Sequence, residues 1–218
     1  NLGGGGSYFF QFIALLLTML LAVLLGMGMP AVPAYVNAAL LMSPVLAGLG
    51  MSLFTAHMFI FYFAVASAIT PPVALAAFAA ASITKAEPMA TGLSAVKSGI
   101  VMFVVPFVFA FYPELLLITE AVVDPRGTAG GFLPGYDGQV HVAALGLLML
   151  RLAFALYLLS SALAGFDRAR LSPLDVGIRL ALAVLILIKT DAIWISALIA
   201  AVVVLGVHGR MRRGIRAV

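Results

Sequence analysis

Residues 53–83 read LFTAHMFIFYFAVASAITPPVALAAFAAASI, and the double proline Pro71-Pro72 decides how the whole chain is to be read. Apolar runs flank it, Leu53 to Ile69 and Val73 to Ile83, neither interrupted by a charge. Each is short for a hydrocarbon core about 30 Å thick, but together they are long enough to cross once. Proline has no amide hydrogen and blocks the preceding turn, so two in succession unwind a helix. The expected element is a discontinuous transmembrane helix, with two half-helix ends and bare carbonyls at membrane depth. Exposed backbone is tolerated there only where protein or a polar cavity covers it, since each unsatisfied group costs several kcal/mol. The plainer alternative is a proline kink satisfied by neighbouring helices.

A second interruption lies about 40 residues earlier. The apolar run from Tyr8 to Leu25 ends in Gly26-Met27-Gly28-Met29-Pro30, with Pro33 shortly after, and helix does not pass smoothly through such a stretch. Helical composition resumes from Ala34 to Leu46, but about 13 residues rise only about 20 Å, too little to cross. Residues 8–47 are therefore expected to form a re-entrant helical hairpin with its tip near 26–33. A spanning helix followed by an interfacial one is the alternative.

Composition fixes the solvent. Hydrophobic residues make up 64% of the chain, charged residues 9%, and the mean hydropathy is +1.20; soluble domains hold about 25% charged residues. No Lys, Arg, Asp or Glu occurs before Lys85. A water-soluble fold is excluded, and the class is an all-α polytopic membrane protein with room for about five to seven segments in 218 residues. The chain opens Asn1-Leu2-Gly3-Gly4-Gly5-Gly6 without a basic n-region or cleavage site, so its first apolar run does not read as a signal peptide. It is expected to be a fragment of a longer protein, with the glycines as a flexible entry to the first helix.

The rest of the chain divides by composition. Residues 85–97 turn amphipathic and read as a connecting arm along the membrane surface, followed by a span at 98–112. Residues 121–140 have loop composition and are expected outside the cytoplasm, with a short interfacial helix at Leu115 to Val123 leading in. Residues 141–218 form a C-terminal transmembrane extension, with spans expected at His141 to Ala164, Leu174 to Ile188 and Ala192 to His208, and a basic tail. Residues 85–97, 165–179 and 209–218 hold nine of the twelve Lys and Arg, and alternate spans place all three on one side, the cytoplasmic one. The tail arginines Arg210, Arg212, Arg213 and Arg216 read as a membrane anchor rather than a nucleic-acid contact.

Enzymatic chemistry finds no support. His57, His141 and His208 stand singly, there is no cysteine, and no nucleophile elbow or phosphate loop occurs; no catalytic residue and no organic cofactor is expected. A lone membrane histidine reads first as a helix-packing residue. Arg151, the one charge well inside an expected span, is read as structural ahead of functional. The two breaks are different in kind, because unwound backbone supplies oxygens for a dehydrated cation without burying a carboxylate. The ion-site residues expected are Gly26, Gly28 and Pro30 at the tip and Ser67, Thr70, Pro71 and Pro72 at the break. Asn37, one turn into the second hairpin arm, is a further candidate, for substrate.

Leu25-Gly26-Met27-Gly28-Met29-Pro30, the run through Ala34-Tyr35-Val36 to Ser43-Pro44, and Phe61 to Ala74 resemble the C-terminal repeat of fused permeases of tripartite, binding-protein-dependent (TRAP) transporters. The resemblance covers roughly residues 8–120, and Ile-Thr-Pro-Pro-Val-Ala is its most specific part. It implies that residues 1–120 form the second of two inverted repeats, with sodium as coupling ion and a small carboxylate-bearing substrate between the repeats. It also implies two partners besides membrane lipid: an extracytoplasmic substrate-binding protein, and the N-terminal half of the permease. The protein would then reside in the inner membrane. One departure is Ala31-Val32-Pro33, where relatives commonly carry hydroxyl residues after the tip proline. A divalent-anion/sodium symporter-like protein and a non-transporting membrane assembly module are the alternative functions.

The charge asymmetry yields a first prediction. Cysteines placed at Arg170 or Arg213 should resist a membrane-impermeant maleimide added to intact cells and react after permeabilisation; labelling from outside would overturn the orientation.

Overall fold

The computed structural model describes residues 4–117, 142–167, 170–188 and 190–213. Every regular element among them is helical. Two compact units, residues 1–140 and 141–218, are each described by themselves.

In the first unit, α1 (Gly4–Gly26) and α2 (Ala31–Gly48) form a helical hairpin. Three of the four N-terminal glycines, expected as a flexible entry, lie within α1. The length argument for the second arm is also corrected. α2 has 18 residues, not 13, and is long and apolar enough to cross a membrane. Pro33 does not delay the helix because it occupies the first turn, where an amide hydrogen has no partner to lose. The interruption is thus only Met27 to Pro30.

α3 (Leu53–Ala66) runs into a 3-10 turn, Ser67–Ile69, and the chain resumes as α4 (Leu75–Thr84) beyond the prolines. The discontinuous helix expected over residues 53–83 is therefore present. α5 (Pro88–Ser98) and α6 (Val101–Phe111) follow, separated at Gly99-Ile100. By length and composition Pro88–Phe111 also qualifies as one 24-residue span. Glu87 caps α5 by accepting from the Met89 and Ala90 amides. The Pro113–Leu116 stretch is a 3-10 turn, and the interfacial helix expected over Leu115 to Val123 extends outside the described residues.

The core of this unit sits where α1, α2, α3 and α6 meet. Phe59 and Phe63, one turn apart on α3, interleave with Phe103 and Phe107 of α6. Phe59–Phe107 is edge-to-face at 5.3 Å and Phe63–Phe107 at 5.9 Å, the arrangement that aligns positive ring edges with negative faces. Small residues are prominent among those buried on α1, α2 and α3, namely Ala22, Ala38, Ala39 and Ala56, beside Leu15, Leu46 and Ile60. Lipid is as apolar as leucine, so close backbone approach over small side chains, rather than a hydrophobic drive, favours helix association here. A polar clasp joins α2 to α3: the His57 ring meets Tyr35 Oη at Nδ1 (2.8 Å) and Ser43 Oγ at Nε2 (3.0 Å). His57 is thus a packing histidine with both nitrogens engaged.

The second unit contains α7 (Val142–Ala164), α8 (Pro173–Ile186) and α9 (Asp191–Arg213). The helix over the expected span at Ala192 to His208 is longer than expected and extends into the basic tail, but its apolar part, Asp191–Gly206, is shorter than a membrane span; of the three spans expected here only α7 is long and apolar enough to cross. Arg151 of α7 donates to the Ile186 carbonyl at 2.8 Å and the Ile188 carbonyl at 3.0 Å, and lies 4.5 Å from the Trp194 ring centroid. It therefore supplies donors to the carbonyl end of α8, where a cation is also favoured by the helix dipole. Arg179, counted in the sequence among the basic residues of 165–179, also falls within the expected span Leu174 to Ile188. It lies inside α8 and is fully buried. Its guanidinium donates to Ser161 Oγ at 2.7 Å and pairs with Asp167 at 2.9 Å, while Asp167 also accepts from Tyr157 Oη. α8 starts at Pro173 with a Ser172–Asp175 capping box.

Removing one member of a buried pair strands the other charge at a cost of about 3–5 kcal/mol. Asp167→Ala should therefore lower the unfolding temperature of the purified protein clearly. Asp167→Leu combined with Arg179→Met should recover most of the loss; equal losses would show that the charges are not coupled.

Candidate ion site at two helix breaks

Helix α3 ends for a reason that can be counted along the backbone. In an α-helix the carbonyl of residue i accepts from the amide of i+4, and in a 3-10 turn from i+3. For Ala68 these are Pro72 and Pro71, and neither has an amide hydrogen. Its carbonyl has no local donor in either helical form. The Ser67 carbonyl escapes through a 3-10 bond from the Thr70 amide at 3.2 Å, after which Thr70 turns extended. The Thr70 carbonyl accepts from the Ala74 amide at 3.2 Å, and Ala74, left-handed at φ +33°, leads into α4. Among the described residues no backbone amide donates to the carbonyls of Pro71, Pro72 or Val73. The break thus leaves a short series of backbone oxygens without amide partners.

Two hydroxyls flank these carbonyls. Ser67 Oγ donates to the Ala64 carbonyl at 2.6 Å and Thr70 Oγ1 to the Ala66 carbonyl at 2.7 Å. Each has placed its hydrogen on the helix behind it and keeps lone pairs to offer elsewhere. Ser67 is buried and Thr70 half-buried.

The hairpin tip meets this break. A methyl group added at Gly26 would overlap Ser67 Oγ and stand 2.7 Å from Ser67 Cβ and 3.3 Å from the Ala64 carbonyl. Only a hydrogen fits between the end of α1 and the end of α3. Gly28 turns the tip with φ +77°, a conformation disfavoured for residues with a Cβ, and its nearest neighbour across the gap is Val73. Pro30 precedes the first turn of α2 in extended conformation and offers no side-chain cap.

Of the residues singled out from the sequence, Gly26 and Ser67 are in contact, and Gly28 faces Val73 just beyond Pro71 and Pro72. Pro30 and Pro72 are exposed. Asn37 is exposed as well, its amide 4.0 Å from Met29 Sδ, on the tip rather than the break. The sequence reading missed Val73, Ala74 and Gly92. Nothing in an alanine following Thr-Pro-Pro-Val announces a left-handed residue. Gly92 did carry a signal, because a glycine inside a helix weakens it by about 1 kcal/mol and calls for a packing reason. That reason is Pro71, whose Cγ would lie 2.9 Å from a Cβ at position 92. Among the described residues no cluster of three or more His, Asp or Glu side chains gathers, so the oxygens at the two breaks are neutral ones.

Residues 5–122 match the model of a family described as "Tripartite ATP-independent periplasmic transporter, DctM component". The comparisons with curated proteins and with solved structures gave no match.

The Gly26–Ser67 contact is open to a direct check. Gly26→Ala should destabilise the purified protein by about 1–3 kcal/mol, the usual cost of overpacking, and pairing it with Ser67→Gly should return a good part of that. Gly48→Ala, where nothing lies within 4 Å of the new methyl, should cost nothing. Additive effects of the Gly26 and Ser67 changes would mean that the tip and the break do not touch.

Proposed function

We propose, from the premise that this chain belongs to the DctM-component family of tripartite ATP-independent periplasmic transporters, that it performs sodium-coupled uptake of a small organic acid. Its first unit supplies one of two ion-binding repeats. The observation that carries this reading is the seating of the hairpin tip on the helix break, at Gly26 and Ser67, beside carbonyls that lack amide donors. A dehydrated monovalent cation needs several neutral oxygens around it, and a membrane-embedded break has every reason to give its oxygens a cation in place of water. Gly26 and Gly28 bring tip backbone close; Ser67 and Thr70 add hydroxyl oxygens; Pro30, Pro71 and Pro72 hold the turns open.

In this reading the α1–α2 hairpin is re-entrant, with both ends on one membrane face, and the arm 85–97 lies at the cytoplasmic side. A facing N-terminal repeat completes the substrate site, with Asn37 at its edge, and an extracytoplasmic binding protein delivers the acid. The protein resides in the inner membrane with its basic tail in the cytoplasm. Residues 121–140 lie on the opposite side, and residues 141–218 form a transmembrane extension. The four long apolar helices agree with membrane residence.

The test is equilibrium binding of radiolabelled sodium to the detergent-purified full-length permease, which needs no knowledge of the substrate. Thr70→Val keeps the shape and removes the hydroxyl, and should raise the sodium concentration for half-saturation about tenfold, equivalent to about 1.4 kcal/mol, with unchanged protein yield. Absence of saturable sodium binding in the unmodified protein would sink the proposal; unchanged affinity in Thr70→Val would remove the hydroxyl from the ligand set.

A further inference from the structure

The ion-site reading leaves the arm helix without a role beyond connection, yet Gly92 within it and Gly99 at its C-terminal cap both lie against the break. Gly92 lies in the middle of α5, and Gly99 caps its C-terminal end. A Cβ at Gly92 would lie 2.9 Å from Pro71 Cγ and 3.6 Å from Phe78 Cε1, and one at Gly99 would lie 3.0 Å from Ile69 Cδ1. Ile69 and Pro71 bracket Thr70, while Phe78 belongs to the first turn of α4. The face of α5 therefore rests on the last residue before the break, on its first proline, and on the helix that resumes after it. Gly48, by contrast, has nothing within 4 Å of its would-be methyl, and the other surface of α5 is largely exposed.

From this we infer that the arm helix α5 sets the shape of the break, with Gly92 as a positioning residue acting through Pro71. Thr70 stands between two residues that the arm touches, Ile69 and Pro71. Pro71 cannot re-form a helical hydrogen bond to fix itself, so its position is set by what packs on it. A small displacement of α5 along Gly92 then moves Pro71 and with it the carbonyls of Pro71 and Pro72. Arm position and cation affinity become linked quantities, and a cation that holds the break in one shape resists movement of the arm by the same free energy. The sodium part of this inference rests on the proposed function; the arm's hold on the break does not.

The two are separated by one experiment. The chain contains no cysteine, so Val73→Cys, half-buried between break and tip, gives a single reporter once any cysteine elsewhere in the full-length permease is removed. Its alkylation rate by a small maleimide is measured in sodium-free choline buffer, then over a sodium titration. In sodium-free buffer Gly92→Leu should change the rate at least fivefold and Gly92→Ala about twofold, while Gly48→Leu leaves it unchanged. With sodium, half-protection should require three- to tenfold more salt in Gly92→Ala than in the parent. Protein amount is normalised by gel-filtration peak, and Gly92→Ala carries the comparison if the leucine variant fails to fold. A parental rate in folded Gly92→Ala and Gly92→Leu overturns the arm's role. Absence of sodium protection in the parent, with the rates still altered by Gly92 substitution, supports the arm's role and instead removes sodium from the proposed function.

Discussion

The rest of the first unit depends on one constraint: a backbone carbonyl in a membrane must find a donor or a cation. Ala68 cannot find a donor in its own helix because both candidate partners are prolines. The same two prolines end α3, leave the Ser67 carbonyl only its 3-10 bond from Thr70, and leave oxygens that other parts of the chain must shelter. The hairpin tip covers one side through Gly26, and the arm covers another through Gly92. The aromatic packing of α3 on α6 fixes the helix from which the break departs. Covering elements and covered element are thus complementary at glycine, where backbone can come nearest.

Much of this was legible in the sequence because it depends on residues with unusual backbones. Proline and glycine act locally, so the break at Pro71-Pro72, the turn at Gly26 to Pro30, the all-helical class and the family could all be read before any coordinates. Where the reading failed, the answer depended on something non-local. The second hairpin arm looks short in the sequence because Pro33 resembles a stop, although a proline in the first turn costs no hydrogen bond. The burial of Arg179 depends on Asp167 and Ser161 lying within its reach, which no local pattern shows. The left-handed Ala74 had no sequence signal at all.

The second unit solves its burial problem by different means. Its two inward arginines serve helix ends and helix pairs rather than a site: Arg151 satisfies carbonyls beyond the last turn of α8, and Arg179 ties α8 to Ser161 of α7 and to Asp167. Guanidinium suits both tasks, since its planar fork can serve two acceptors at once and its hydration is weaker than that of an ammonium group. Charges inside a membrane segment raise the question of function first, and here the geometry answers with architecture.

Arg151 also carries a statement about bilayer thickness. Helix α8 has 14 residues and rises about 21 Å, and its carbonyl end is met by the tenth residue of the 23-residue α7, about 14 Å from the start of that helix. The turn after α8 is therefore level with the interior of its neighbour. A hydrocarbon slab about 30 Å thick cannot be matched by both helices at once. In a bilayer, a thickness that suits one of these two helices is a mismatch for the other.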